Sequence, residues 1–215
     1  MAADSLFEQL KHPNPQMRQR ALAAIVENRN ENTIALLLAA LGEEDVVYRR
    51  AAVKTLGAIG MEAIPAVVEQ MLHSENDTVR ASCAKAMAQI AVSHPNASFP
   101  VEGIEALRKA MADPYPVVQI AAVMSLGEIG MPAVETLLET LKTTDNVAIA
   151  LTITNTLGSI GDPRAVNVLR DLIQDHSVDS YVRETAESAL PRLEQMLLTN
   201  TVKGSTRESE SSLHS

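Results

Sequence analysis

Apolar residues recur at i, i+4 and i+8 in six separate stretches of the chain. The stripes read Met17/Ala21/Ile25, Tyr48/Ala52/Leu56, Val79/Cys83/Met87, Val118/Ala122/Leu126, Ile149/Ile153/Leu157 and Val182/Ala186/Leu190. That spacing returns to one face of an α-helix, so each stripe predicts an amphipathic helix. The middle residue is small in five of the six, which lets a neighbouring helix approach closely. The last residues of the stripes lie 31, 31, 39, 31 and 33 residues apart. A period in this range marks stacked structural repeats. The interval of 39 is one 31-residue unit plus eight, and the surplus falls in the segment 93–100. The interval of 33 reflects two extra residues near Asp175 to Ser180.

Further columns carry helix-start and helix-stop chemistry. Eleven residues before each last stripe position stand Asn14, Asp45, Asn76, Tyr115, Asn146 and Asp179. Five of these six are good N-caps, whose side-chain oxygens accept from unpaired amides of the first turn. Pro15 and Pro116 follow at the tolerated first helical position. Three units end in Leu-Gly-x-Ile-Gly, at residues 56–60, 126–130 and 157–161, and the second glycine is placed to stop the helix in a left-handed conformation. Pro65, Pro132 and Pro163 then start the next helix. Upstream, Leu6/Leu10, Leu37/Leu41, Val68/Leu72, Leu107/Met111, Leu137/Leu141 and Leu169/Ile173 mark a first helix in every unit. The expected fold is all-α, a helix–turn–helix unit repeated six times and stacked into an α-solenoid. The periodicity stops after Leu198, and 199–215, rich in Ser and Thr, is expected to be a disordered tail.

Composition narrows the function. Lys and Arg total 18 against 27 Asp and Glu, a net charge of −9. A nucleic-acid binder needs a basic surface to displace counterions, so no nucleic-acid partner is expected. The longest wholly apolar run, Ile34 to Leu41, is far shorter than the roughly 20 residues of a spanning helix, so no membrane insertion is expected. Met1 to Ser5 shows no basic region leading into an apolar stretch, so no signal peptide is expected and the expected location is cytoplasmic. One cysteine allows neither an internal disulfide nor a cysteine-based zinc site.

The unit Asp/Asn-x-x-Val-Arg-x-x-Ala-x-x-x-Leu-Gly-x-Ile-Gly resembles the short HEAT-like repeat, best seen in 76–84 and 179–186. A small chain built wholly of such units resembles the E/F/Z-type phycobilin lyase family of cyanobacteria and red algae, most closely its Z-type bilin biosynthesis proteins. The resemblance covers residues 4–198, a solenoid of about six HEAT-like helix–turn–helix repeats. It implies a lyase subunit or lyase chaperone that assists attachment of a linear tetrapyrrole (a phycobilin) to phycobiliprotein cysteines. The phycobilin is then substrate, with no permanently bound cofactor. Implied partners are a phycobiliprotein subunit, the bilin and a second HEAT-like lyase subunit, in cyanobacterial cytosol or red-algal plastid stroma. The alternative is a non-enzymatic HEAT-repeat adaptor that docks a protein helix or loop.

Positions −6 and −2 from each last stripe residue point nearly opposite the core, toward the expected concave binding surface. They read Gln19/Ala23, Arg50/Lys54, Ala81/Lys85, Ile120/Met124, Leu151/Asn155 and Glu184/Ser188. A solvated face should be polar throughout, yet the fourth and fifth units carry Ile120, Met124 and Leu151. Position −7 reads Arg18, Arg49, Arg80, Gln119, Ala150 and Arg183, an expected arginine ladder with the Asp/Asn caps that lapses in the same two units. The candidate site is therefore a basic patch of Arg50, Lys54 and Lys85 beside an apolar patch of Ile120, Met124 and Leu151. It would suit a bilin, whose flat apolar body carries two propionates. A hydrophobic face of a phycobiliprotein or of a second lyase subunit fits equally well. The plain alternative is that inter-repeat twist buries these residues.

The remaining residues offer less. Cys83 occupies a small-residue core position, where an inert buried thiol outweighs a nucleophile. His12, His73, His94 and His176 fall in separate loops and His214 in the tail, so no metal site is expected. Glu8, Glu62, Glu69, Glu105, Glu135 and Glu139 belong to first helices or their turns and read as a solvated face. No catalytic residue is assigned, because no phosphate loop, nucleophile elbow or zinc-protease pair occurs. The inserted segment His94 to Pro100 brings Phe99 and two prolines, and reads equally as a binding loop or as slack between helices.

Overall fold

A computed structural model describes residues 2–212, with side chains described for 5–199. The described residues are helical, without strands. The first helices of the units are α1 (Ala2–Gln9), α3 (Thr33–Ala40), α5 (Ile64–His73), α7 (Val101–Ala110), α9 (Val134–Thr143) and α11 (Arg164–Gln174). The second helices are α2 (Pro15–Glu27), α4 (Val46–Ile59), α6 (Asp77–Ser93), α8 (Pro116–Ile129), α10 (Val147–Ile160) and α12 (Ser180–Ser212). The expected α-solenoid is present. The chain divides into two compact units, Met1–Ile129 and Gly130–Ser215. In the first, α2, α4, α6 and α8 pack side by side as one layer, and α3, α5 and α7 as another. In the second, α12 packs on α10 and α11.

The stripes are the core. Sixteen of the eighteen stripe residues are buried, and only Met17 and Leu190, at the two ends, are half-buried.

 At the last helix the core runs on through Ala189 and Leu193 instead of Leu190. The third first helix also departs by one residue. Val67 and Met71 are buried there, whereas Val68 is half-buried and Leu72 exposed. A 3₁₀ turn, Met61–Ala63, precedes α5 as Met131–Ala133 precedes α9, and Val67 and Met71 stand where buried Leu137 and Leu141 stand in α9.

The caps form as expected in five units. Asn14 accepts from the Gln16 amide, Asp45 from Val47 and Tyr48, Asn76 from Thr78 and Val79, Asn146 from Ala148 and Ile149, and Asp179 from Tyr181. At Tyr115 the acceptor lies two residues earlier, where Asp113 Oδ1 takes the Tyr115 amide at 2.9 Å. Gly60, Gly130 and Gly161 have φ of 88°, 76° and 81°, the positive values among the described residues. Only Gly161 is left-handed helical. Gly60 and Gly130 pair positive φ with ψ of −148° and −132°, a region essentially closed to other residues.

The inserted segment packs. Phe99 is buried against Gly103, where an added Cβ would stand 2.7 Å from the ring. His94 Nε2 lies 3.2 Å from the Gly57 carbonyl at the end of α4. The insertion therefore anchors the α6–α7 connection. The helix α12 is continuous to Ser212, past Leu198 where the repeat pattern ends. Side chains 200–215 lie outside the described residues, and so does His214.

Candidate functional site

The first glycine of Leu-Gly-x-Ile-Gly governs how closely second helices approach. A Cβ at Gly57 would stand 2.8 Å from Cβ of Gln89 on α6, and one at Gly158 would stand 2.7 Å from Cβ of Ala189 on α12. Gly57 and Gly158 each lie toward the C-terminal end of their helix. A groove is left between α10, at Leu151 to Asn155, and the first turns of α12.

The arginine column serves chiefly the loops, and it reaches a capping carboxylate where Arg80 holds Asp113, which narrows the expected ladder to that step. Arg18 Nη1 donates to the carbonyls of His12 and Pro13, Arg49 Nη1 to those of Glu43 and Glu44, and Arg80 Nη1 to Ser74. Their reach of five or six residues clamps the loop that leads into the helix. Gln119 Nε2 does the same to the Asp113 carbonyl at 2.6 Å. The charge lost at Gln119 is thus a substitution within one structural role, whereas Ala150 has no such side chain. Arg80 also holds Asp113 bidentately at 2.6 and 3.0 Å and lies over the Tyr115 ring at 5.5 Å. Burial pushes the Asp113 carboxyl up, but hydrogen bonds from Arg80 and the Tyr115 amide outweigh it and leave the carboxyl below its usual range.

The structure sorts the six candidate residues into three places. Arg50 and Lys54 are exposed on α4 and line a cleft of about 310 Å³ against α2. Pro15, Arg18, Gln19 and Leu22 form the other wall, and Val47 and Ala51 complete the α4 side. Arg50 and Lys54 pair with no carboxylate among the described residues. Lys85 is exposed on α6, and Ile120 and Met124 are exposed on α8, away from that cleft. Twist does not bury these two. It does close the same column at Ala81, which is buried where α6 is gripped by α8 through Ser125 Oγ donating to the Ala84 carbonyl at 2.7 Å.

Leu151 belongs to the other compact unit, half-buried in a groove of about 900 Å³ between α10 and α12. Thr152 and Asn155 stand with it on α10, facing Tyr181, Glu184, Thr185, Ser188 and Arg192. Arg192 Nη2 donates to Asn155 Oδ1 at 2.7 Å across the groove. The sequence reading named Glu184 and Ser188 in the open-face columns and Arg18 in the arginine column without assigning them to a site, and it missed the rest of the α12 wall and Leu22 in the first cleft. Both were legible as the neighbouring columns −9, −5 and −3. A third cleft, about 340 Å³ and mostly apolar, lies among Leu6, Phe7, Ile25 and Leu36. The signal for it was Leu36 within the longest apolar run.

Catalytic chemistry finds little support among the other groups. Cys83 is fully buried, and burial pushes its thiol up to about 12. Among the described residues no three His, Cys, Asp or Glu side chains gather as a metal site. No single helix there is long and apolar enough to cross a membrane. The six glutamates of the first helices and their turns are exposed, as expected.

A family model for HEAT repeats matches residues 3–88 and 104–191, omitting the inserted connection. The phycocyanin operon protein Z of Pseudanabaena tenuis, described as uncharacterized, is 49% identical over 196 residues, 91% of this chain and 97% of that protein. The chain belongs to the HEAT-repeat, Z-type bilin lyase family. A second relative, the bilin biosynthesis protein CpeZ of a Synechococcus strain, is 29% identical over 182 residues, 82% of this chain and 97% of that protein. Among solved structures, the complex of CpcE and CpcF of phycocyanin lyase from Nostoc matches with a TM-score of 0.48 at 20% identity, over 72% of this chain and 97% of that one.

Proposed function

We propose that this protein is a bilin biosynthesis factor that holds a phycobilin in the α2/α4 cleft and presents it to a phycobiliprotein cysteine. Membership of the Z-type family supports the role in bilin biosynthesis. The observation that carries the site is the cleft itself. Arg50 and Lys54 stand without carboxylate partners in a chain of net charge −9, over an apolar floor of buried Leu22 and Ala51. Propionates would pair with the two cations, and the conjugated body would cover the floor. The acceptor's thiolate then adds to the bilin's side-chain double bond, forming a C–S bond while the proton ends on the bilin carbon. The chain supplies position and orientation rather than a nucleophile. A second HEAT-like lyase subunit takes part in the same reading, as do bilin and phycobiliprotein as partners.

The test is a visible absorption titration with phycocyanobilin. The expected result is a saturable shift whose half-point moves at least tenfold in Arg50→Glu/Lys54→Glu. An unchanged titration in that variant overturns the cleft assignment. Absence of any shift, with or without apo-phycobiliprotein, favours the adaptor reading, in which the same surfaces dock protein only.

A further inference from the structure

One helix remains unaccounted for by the cleft. α8 is apolar on almost every side, whereas a surface helix ordinarily keeps a polar face. Val118, Ala121, Ala122 and Leu126 fill the core, yet Val117, Ile120 and Met124 are 46%, 37% and 60% exposed. These three lie at i, i+3 and i+7, a ridge about 10 Å long at 1.5 Å per residue. Tyr115, 49% exposed, extends the ridge at its start, with its ring held by Arg80. Next to it in the same layer are α6 with Lys85 and then α4 with Lys54 and Arg50. Adjacent helix axes stand roughly 8–10 Å apart, so the ridge has an unpaired cation one helix away and two more at the next.

We propose that the α8 ridge docks an amphipathic helix of the acceptor phycobiliprotein, apolar toward Val117, Ile120 and Met124 and acidic along the margin facing Lys85. The inference rests on the function proposed above, with labour divided: the α2/α4 cleft takes the bilin and α8 takes the protein. The helical occupant follows from the ridge spacing, since helices meet by laying ridges into grooves. Its acidic margin follows from Lys85, which has no carboxylate partner among the described residues. Tyr and Met are side chains favoured at the centres of protein interfaces.

The test measures binding of purified apo-phycocyanin and apo-phycoerythrin subunits by calorimetry, alongside the phycocyanobilin titration. Ile120→Glu/Met124→Glu is expected to weaken acceptor binding at least tenfold and leave the bilin titration within twofold. Met124→Lys is expected to lose less than Met124→Glu, because it faces an acidic margin, and Met124→Leu to bind as wild type. Val101→Glu, an exposed apolar residue on α7, is the matched control, and thermal melts verify that every variant folds. The proposal is overturned if the ridge variants weaken the bilin titration but not acceptor binding, or change neither. It is also overturned if sedimentation shows a dimer of this chain that Met124→Glu dissociates, or if only a co-expressed second HEAT-like subunit is lost. Ridge-dependent acceptor binding without any bilin shift would uphold the ridge and sink the cleft.

Discussion

The α2/α4 cleft and the α10/α12 groove occupy equivalent places in their repeats but offer different chemistry. Position by position, Val47, Arg50, Ala51 and Lys54 on α4 correspond to Tyr181, Glu184, Thr185 and Ser188 on α12. The first wall is cationic over an apolar floor. The second carries an acid, two hydroxyls and an exposed phenol, and its Arg192 is already held by Asn155. Burial of the stripes is common to both, so the stacking does not depend on what the grooves contain. The repeat fixes that a groove exists, and the side chains on one wall set its charge and polarity.

The largest expected effect comes from making one wall into the other. Arg50→Glu with Lys54→Ser gives α4 the polar pattern of α12. Two charge-assisted hydrogen bonds at roughly 1.5–3 kcal/mol each imply a loss of a hundredfold or more in bilin affinity. The reverse change, Glu184→Arg with Ser188→Lys, is expected to add a second, weaker site to the same absorption titration. Unchanged stoichiometry in that variant would show that the second groove lacks the apolar floor a bilin needs.

Next in size is the buried ion pair that separates the units' loop chemistry. Arg80 and Asp113 are both nearly buried, whereas in the second unit buried Asp162 pairs with a half-exposed Arg164. Removing one partner of a buried pair costs roughly 3–5 kcal/mol because the other charge is left uncompensated. Asp113→Ala, which leaves nearly buried Arg80, is therefore expected to lower Tm more than Asp162→Ala, which leaves only half-exposed Arg164. The pH dependence follows from the sign of the shifts. Hydrogen bonds from Arg164 outweigh burial at Asp162, so both carboxyls sit below their usual range. Their contribution is full above the unfolded pKa of about 3.9 and is lost as pH falls through the lower folded value. The Tm gap between wild type and Asp113→Asn should therefore close on acidification below about pH 4.

A smaller loss is expected at the close helix contact of the second unit. Gly158→Ala places a methyl against Ala189, and overpacking of this kind costs roughly 1–3 kcal/mol. At about 2–4 °C per kcal/mol for a chain of this size, a Tm drop of several degrees is expected. Gly57→Ala would meet Gln89 at its Cβ and Cγ, the fixed near end of that side chain, and is expected to cost at least as much. No drop in either variant would mean that helix spacing is set elsewhere.

Much of this organisation was legible because periodicity reports burial directly. The stripes, the five caps and the three glycine stops all follow from spacing and residue type. The misreadings have separate causes. Val68 and Leu72 are off by one residue because Val67 and Met71, not they, stand at the places after Gly60 that Leu137 and Leu141 hold after Gly130. Ala81 was expected on the open face, yet it is buried. The arginine column was legible as a column but not as a loop clamp, since its acceptors are backbone carbonyls that carry no sequence signal. Phe99 was ambiguous because only the space beside Gly103 reveals that an inserted aromatic has a socket.

The smallest expected effect lies in the exposed ion pairs, one from each unit. Arg29 and Glu62 stand 3.3 Å apart, Arg170 and Glu194 2.6 Å, and all four side chains are largely in water. The shorter distance argues for a stronger pair, but solvent screening argues that distance hardly counts. Screening should win, since exposed pairs contribute about 0–1 kcal/mol whatever their geometry in a static structure. Glu62→Ala and Glu194→Ala are therefore expected to lower Tm by only a few degrees at low salt, and by nothing measurable in 0.5 M salt, about half molar being enough to screen both. A salt-insensitive drop at Glu194 alone would mean that its contact orders α12 against α11 through packing, as the neighbouring buried Leu193 and Leu169 do.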